Sequence, residues 1–170
     1  NEVLHCYEDV LILASRNDIE VPDTILNAVH KMACADLMWK KPDHKQLLMG
    51  DSDDMDIRDY ISTAAVLFRD PMLKFGGFPV LDFESVWDLG IESARLYQEI
   101  EIQEPDFLSG ALSDSGNYYL RDKWGEDGSL LHFHCGTMGA GHGHSDKLHV
   151  DLCVGGEDVL TDAGRYTYVV

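Results

Sequence analysis

Apolar residues recur at three- and four-residue spacing over the first hundred positions, the period of an α-helix with one buried face. In "DTILNAVHKMACADLMW" this spacing aligns Ile25, Val29, Met32, Ala33 and Leu37 behind Asp23, a residue type suited to capping. "DIRDYISTAAVLF" aligns Ile57, Ile61, Ala64, Ala65 and Phe68. "DFESVWDLGIESARLYQ" aligns Phe83, Val86, Trp87, Gly90, Ile91, Ala94 and Tyr97 as one helix. The opening segment through about Ala14 has the same period. Four helices joined by Pro-, Gly- and Asp-bearing loops are expected, arranged as helical hairpins.

Past Pro105 the period falls to two. "FLSGAL", "NYYLRD", "SLLHFHCG", "KLHVDLCV" and "EDVLTD" alternate as short strands, separated by the turn chemistry of "SDSG", "WGEDG" and "GGED". Short turns between successive strands predict antiparallel pairing. The expected organisation is a helical part over 1–104 and the first strands of an antiparallel β-sandwich over 105–170. Five short strands are few for a closed sandwich. The chain also begins without Met and ends inside a strand-like pattern, so a piece of a longer protein is expected. No internal repeat is visible.

Charge narrows the range of partners. With 13 Lys and Arg against 31 Asp and Glu, the net charge is −18. Nucleic acid and anionic membrane surfaces need a basic footprint and are disfavoured as partners, and no apolar run is long enough for insertion into a membrane. No basic, apolar leader opens the chain. The four cysteines form no C-x-x-C pair, which argues against a zinc ribbon. Cys6 and Cys34 lie in helical patterns as expected buried residues, whereas Cys135 and Cys153 lie on neighbouring strands and could pair.

The densest candidate chemistry is "GTMGAGHGHSDKLHVD". His142 and His144 stand one residue apart among glycines that let a ligand or another backbone approach closely, and Asp162 follows a later strand. Imidazole nitrogen and carboxylate oxygen suit zinc or a similar divalent ion, although the chain offers no evident third ligand. His132 and His134 share one face of a strand, either turned to solvent or lining a cleft, and His149 has the same ambiguity. His5, His30 and His44 read as structural or surface residues. The acidic run "GDSDDMD" fails the EF-hand frame, with Asp56 where Gly is required and Ser62 where Glu is required, and is expected at a helix N-terminus. Arg121 and Trp124 either contact an anionic sugar or cover the sheet edge. A cupin-like metal site using His142, His144 and His149 is a rival frame, but its Glu position holds Leu148 or His149.

The combination "SGALSDSGNYYLRDKW", "LLHFHCG", "GHGHSDKLHVDL" and "GGEDVLTDAGRYTY" resembles the heparinase II/III-like polysaccharide lyases, most strongly over about 108–168. "GDSDDMDIRDYISTAAVLFRDPMLK" is similar to the closing hairpins of that family's (α/α) toroid. The resemblance implies partial toroid hairpins followed by an incomplete antiparallel β-sandwich. It implies β-elimination on a uronic-acid polysaccharide, heparin- or heparan-sulfate-like or alginate-like. His142 then matches the histidine facing substrate, His144 and Asp162 match ligands of a structural divalent metal, of zinc type by donor chemistry, and Asp146 supports a histidine from behind. A catalytic Tyr before Asn1 and a third metal ligand beyond Val170 are implied, so this piece alone is expected to be inactive. Relatives act in the periplasm, outside the cell or in the cytoplasm. A non-catalytic carbohydrate-binding module of the same architecture is the remaining alternative. The acidic charge implies that the basic part of a substrate cleft lies elsewhere. Oligomeric state is not legible.

Overall fold

The protein is described from a computed structural model, for residues 1–137 and 143–165. Among these residues there are six helices: α1 (Glu2–Arg16), α2 (Asp23–Trp39), α3 (Arg58–Phe68), α4 (Pro71–Gly76), α5 (Phe83–Leu89) and α6 (Glu92–Glu99). Five strands follow: β1 (Ser109–Leu112), β2 (Asn117–Arg121), β3 (Leu130–His134), β4 (His149–Val154) and β5 (Glu157–Leu160). Helices followed by an antiparallel sheet is the expected fold class. The chain divides into two compact units, Asn1–Leu37 with Ile57–Pro105, and Met38–Asp56 with the residues from Asp106 onward. The segment 38–56, read from sequence with the helices, therefore groups with the strands.

In the helical unit α3 is the central element. Ile57, Ile61, Ala64 and Ala65 are fully buried, as the period predicted, and pack with Leu4, Val29, Ala33, Leu37 and Leu73 in the core. A Cβ on Gly76 would lie 2.4 Å from Leu37 Cδ1, so the bare backbone is what lets α4 approach. α3 stops at Arg69, whose left-handed backbone turns the chain, and Asp70 then caps α4 by accepting from the Met72 and Leu73 N–H groups ahead of Pro71.

Several helical expectations are corrected. The segment 83–99 is two helices, because Gly90 at φ +95° breaks the hydrogen-bond ladder between α5 and α6. Its predicted apolar face is largely not buried: Phe83, Trp87 and Ile91 are each about three-quarters exposed, while Tyr97 is fully buried. The Tyr97 hydroxyl instead donates to Phe78 O at 2.6 Å and meets Ser62 Oγ at 3.1 Å. Asp23 lies in the first turn of α2 without capping it; Pro22 O receives the Ile25 and Leu26 N–H groups. Cys6 is exposed and Cys34 half-buried.

The five strands form one antiparallel meander in the order β1-β2-β3-β4-β5. The register sets up three rows on one face: Arg121, Leu130 and Cys153; Tyr119, His132 and Asp151; Asn117, His134 and His149. Leu130 and Cys153 of the first row join Leu47 and Tyr119 in a core against which Met38, Trp39, Met49 and Leu112 pack. The other two rows are mostly polar. Arg121 serves this core: it donates to the carbonyls of Met38 and Lys40 and lies 4.2 Å from the Trp124 ring centre, so it is a fold contact. Lys41 closes the far edge through a 2.6 Å ion pair with Asp158.

Two further expectations give way here. Cys153 lies opposite Leu130, at the other end of β3 from Cys135, and both thiols are free. The acidic run 50–56 is not a helix N-terminus: a turn at Gly50 leads into extended chain, and Asp51, Asp53 and Asp54 each meet a different cation-bearing side chain.

Candidate functional site

The polar rows converge because alternation on β2, β3 and β4 puts Asn117, His132, His134, His149 and Asp151 on the same face. His132 is fully buried and stacked on Tyr119 with ring centres 5.0 Å apart. Its Nδ1 donates to Asp151 Oδ2 at 2.7 Å, and its Nε2 is 2.9 Å from Asn117 Oδ1. The same amide oxygen is 2.8 Å from His134 Nδ1, so one side chain orients two imidazoles. The solvent-facing alternative for these strand histidines is thereby corrected: His132 is core and His134 is half-buried at the rim of a cavity.

Asp151 joins this buried pair to the end of the sheet. Burial pushes its carboxyl upward, but hydrogen bonds from His132, from His149 and from the Asp162 N–H outweigh it and hold the group below its usual value. The distances are 2.7 Å, 3.0 Å and 3.0 Å. Asp162 is thus fixed through its backbone. Its Oδ1 accepts the Gly164 N–H at 2.8 Å, which leaves Oδ2 directed at His144 Nδ1, 3.2 Å away. The other ring nitrogen, Nε2, is 3.2 Å from Asp51 Oδ1. Hydrogen bonds to Asp51 and then Asp162 raise the His144 pKa above its ordinary value.

The cavity beside this array measures about 260 Å³ and is lined by Ser115, Asn117, His134, Thr137, His144 and Asp146 among others. Next to two of its lining residues, Ser115 and Thr137, the backbone makes a close approach. Gly116, at φ +72°, would carry a Cβ only 2.3 Å from the Gly136 backbone. Asp146 stands 3.9 Å from His134 Nε2, so its ion-pair neighbour is His134. His149 is held by Asp151 and not by the His144 and Asp162 pair, against the cupin frame. His142 lies outside the described residues.

A metal test can be applied to His144 and Asp162. Two donors each about 2.1 Å from one tetrahedral ion stand about 3.4 Å apart. The observed 3.2 Å between Nδ1 and Oδ2 fits that edge, and the backbone restraint on Asp162 is the kind of outer support metal ligands use. Asp51 was missed by sequence reasoning because it is 93 residues from His144 and sits in a run with an unrelated local explanation. Asn117, His132 and Asp151 were missed as a network, although their alternation was visible once the strands were aligned.

A family model described as "Heparinase II/III-like, C-terminal" matches residues 105–170. A heparin-sulfate lyase of Pedobacter heparinus is 25% identical over 153 residues, covering 88% of this chain and 20% of the relative. The crystal structure of a heparan sulfate lyase from Pedobacter heparinus matches 99% of this chain and 24% of its own, with a TM-score of 0.76 at 20% identity. A crystal structure of heparinase III matches 97% of this chain and 27% of its own, with a TM-score of 0.71 at 15% identity. The structural matches show the fold, and the chain spans about a quarter or less of the length of each of these proteins.

Proposed function

Because residues 105–170 match the heparinase II/III-like C-terminal family model, we propose that this chain is part of a polysaccharide lyase cleaving a uronic-acid polysaccharide by β-elimination. The observation that carries the reading is the site at the end of the family-matched sheet: an oriented His144 and Asp162 pair beside a histidine-lined cavity. A lyase must remove the proton at C5, protonate the leaving O4 and offset the charge of the neighbouring carboxylate, leaving a C4=C5 double bond. In this reading His142 faces the substrate. His144 and Asp162 hold a divalent ion, zinc by donor chemistry, whose contribution is structural: it pins the glycine-bearing segment to the sheet. The third protein ligand and the catalytic Tyr come from parts of the longer protein outside 1–170, so the 170-residue piece alone is inactive.

The heparin-sulfate and heparan sulfate lyases among its relatives support a heparin- or heparan-sulfate-like polymer as the first choice of substrate, with alginate-like polymers next. Action outside the cytoplasm, in the periplasm or after secretion, suits a polymer of that size. Among the described residues no helix is long and apolar enough to cross a membrane. The test is ultraviolet detection of unsaturated uronate when the longer protein is given heparan sulfate, heparin, hyaluronan and alginate in parallel. Product from one polymer supports the reading and names its substrate; a folded protein that yields none from any of them overturns it in favour of a binding module.

A further inference from the structure

The helical unit holds a second constellation of metal-type donors that the lyase chemistry does not use. His30 and Cys34 stand four residues apart on one face of α2, so both side chains rise from the same turn. Asp70 meets them from the corner between α3 and α4. Its Oδ1 is committed to the Met72 and Leu73 N–H groups, at 2.8 and 3.1 Å, so Oδ2 is the atom presented to His30 Nε2, at 2.6 Å. Cys34 Sγ is 3.9 Å from the same nitrogen. The three donor atoms all lie within 4.8 Å of one another, the sole such group among the described residues, and each residue is half-buried and reachable from solvent. Phe68 packs edge-on against the His30 ring, with centres 5.0 Å apart, and helps fix its orientation.

We propose that His30, Cys34 and Asp70 form a binding site for a zinc-like divalent ion, with a fourth position left to water. One nitrogen, one sulfur and one oxygen are a donor set suited to zinc or cobalt(II). Bonds of about 2.0–2.3 Å place such donors about 3.3–3.8 Å apart. The observed sulfur–nitrogen distance is already close to that range, and the His30–Asp70 pair needs to open by less than 1 Å. A nucleophile–histidine–carboxylate triad is the competing chemistry, and the geometry rejects it. Sγ is 3.9 Å from Nε2 and 4.0 Å from Nδ1, beside the ring and in line with neither nitrogen.

The test uses the 170-residue chain with His144→Ala, so that the site near the sheet does not contribute. Titration with cobalt(II) is expected to give a thiolate-to-cobalt charge-transfer band that saturates at one equivalent and is displaced by zinc. Cys34→Ser removes the band. Asp70→Asn, which keeps an oxygen to cap α4, weakens cobalt by about 10-fold or more. A variant-free measurement runs beside it: zinc slows alkylation of Cys34 in the unmutated chain, read by peptide mass spectrometry, while Cys6 reacts at an unchanged rate. No charge-transfer band, a band undiminished in Cys34→Ser, or Cys34 alkylation indifferent to zinc would overturn the proposal.

Discussion

His144 Nδ1 and Asp162 Oδ2 face each other across 3.2 Å although the residues are 18 apart in the chain. The approach does not depend on their side chains alone. The Asp162 N–H is held by Asp151, which is itself held by buried His132. On the proposed reading this pair holds the metal, with its carboxylate aimed by the backbone.

Metal content separates the members of this array. In the longer protein, His144→Ala and Asp162→Ala are expected to lose one equivalent of ion, the one held beside the sheet, and His149→Ala to keep it, because His149 is engaged by Asp151 instead. Elemental analysis of the purified variants reads this directly. Loss of metal in His149→Ala would revive the cupin-like ligand set.

The buried row predicts a large stability effect at His132, which is fully buried. His132→Phe leaves Asp151 Oδ2 without its ring partner in a buried setting, while Asn117 Oδ1 keeps His134 Nδ1. An unmet buried charged or polar group costs about 1–3 kcal/mol, and because Asp151 is charged the loss should lie toward the upper end, about 2–3 kcal/mol. His149→Ala, at a half-buried position, should cost about 1 kcal/mol. Urea denaturation of the two variants tests the order.

Glycine substitutions should divide by surroundings. Gly116→Ala combines φ +72° with a Cβ 2.3 Å from the Gly136 backbone, and should cost about 3 kcal/mol or prevent folding of the sheet. Gly155→Ala, at φ +59° with nothing within 4 Å of the new Cβ, meets only the backbone preference and should cost about 1 kcal/mol. Thermal melts comparing the pair check the claim of close approach.

Glu8 makes stability depend on pH in the helical unit. It is fully buried, neither carboxylate oxygen has a hydrogen-bond partner, and burial, then Asp36, Asp59 and Asp9, raise its pKa from 4.5 to about 9. Between those values the folded chain keeps the proton and the unfolded chain has lost it, so stability is greatest below pH 4.5 from this group and falls as pH rises toward 9. Glu8→Gln mimics the protonated form. It should match the parent near pH 4.5 and exceed it by about 4–5 kcal/mol at pH 8. Some slope remains from Asp36, raised to about 7 chiefly by burial. Denaturation series across pH, with equal slopes for parent and variant, would contradict this.

Much of this architecture was legible locally. All five strands appear where alternation and turn residues place them, because each is paired with its sequence neighbour and register follows from short turns. The α3 face was equally plain. The break at Gly90 was hidden because Phe83, Trp87 and Ile91 keep helical spacing on both sides of it while remaining exposed. Asp51 and Asp70 could not be assigned from spacing, since each is brought to a histidine by packing across 93 and 40 residues. The His144 and Asp162 pairing came from a family resemblance; the chain alone offered only donor types in a glycine-bearing stretch.

The chemistry can be read most directly from the ends of the cut polymer. The longer protein containing this chain would be incubated with heparan sulfate in water enriched in heavy oxygen, beside its His142→Ala variant, and the fragments weighed by mass spectrometry. Elimination predicts unsaturated non-reducing ends, no heavy oxygen at the cut, and no fragments from the variant. Saturated ends carrying heavy oxygen, or undiminished cleavage by His142→Ala, would contradict the assignment.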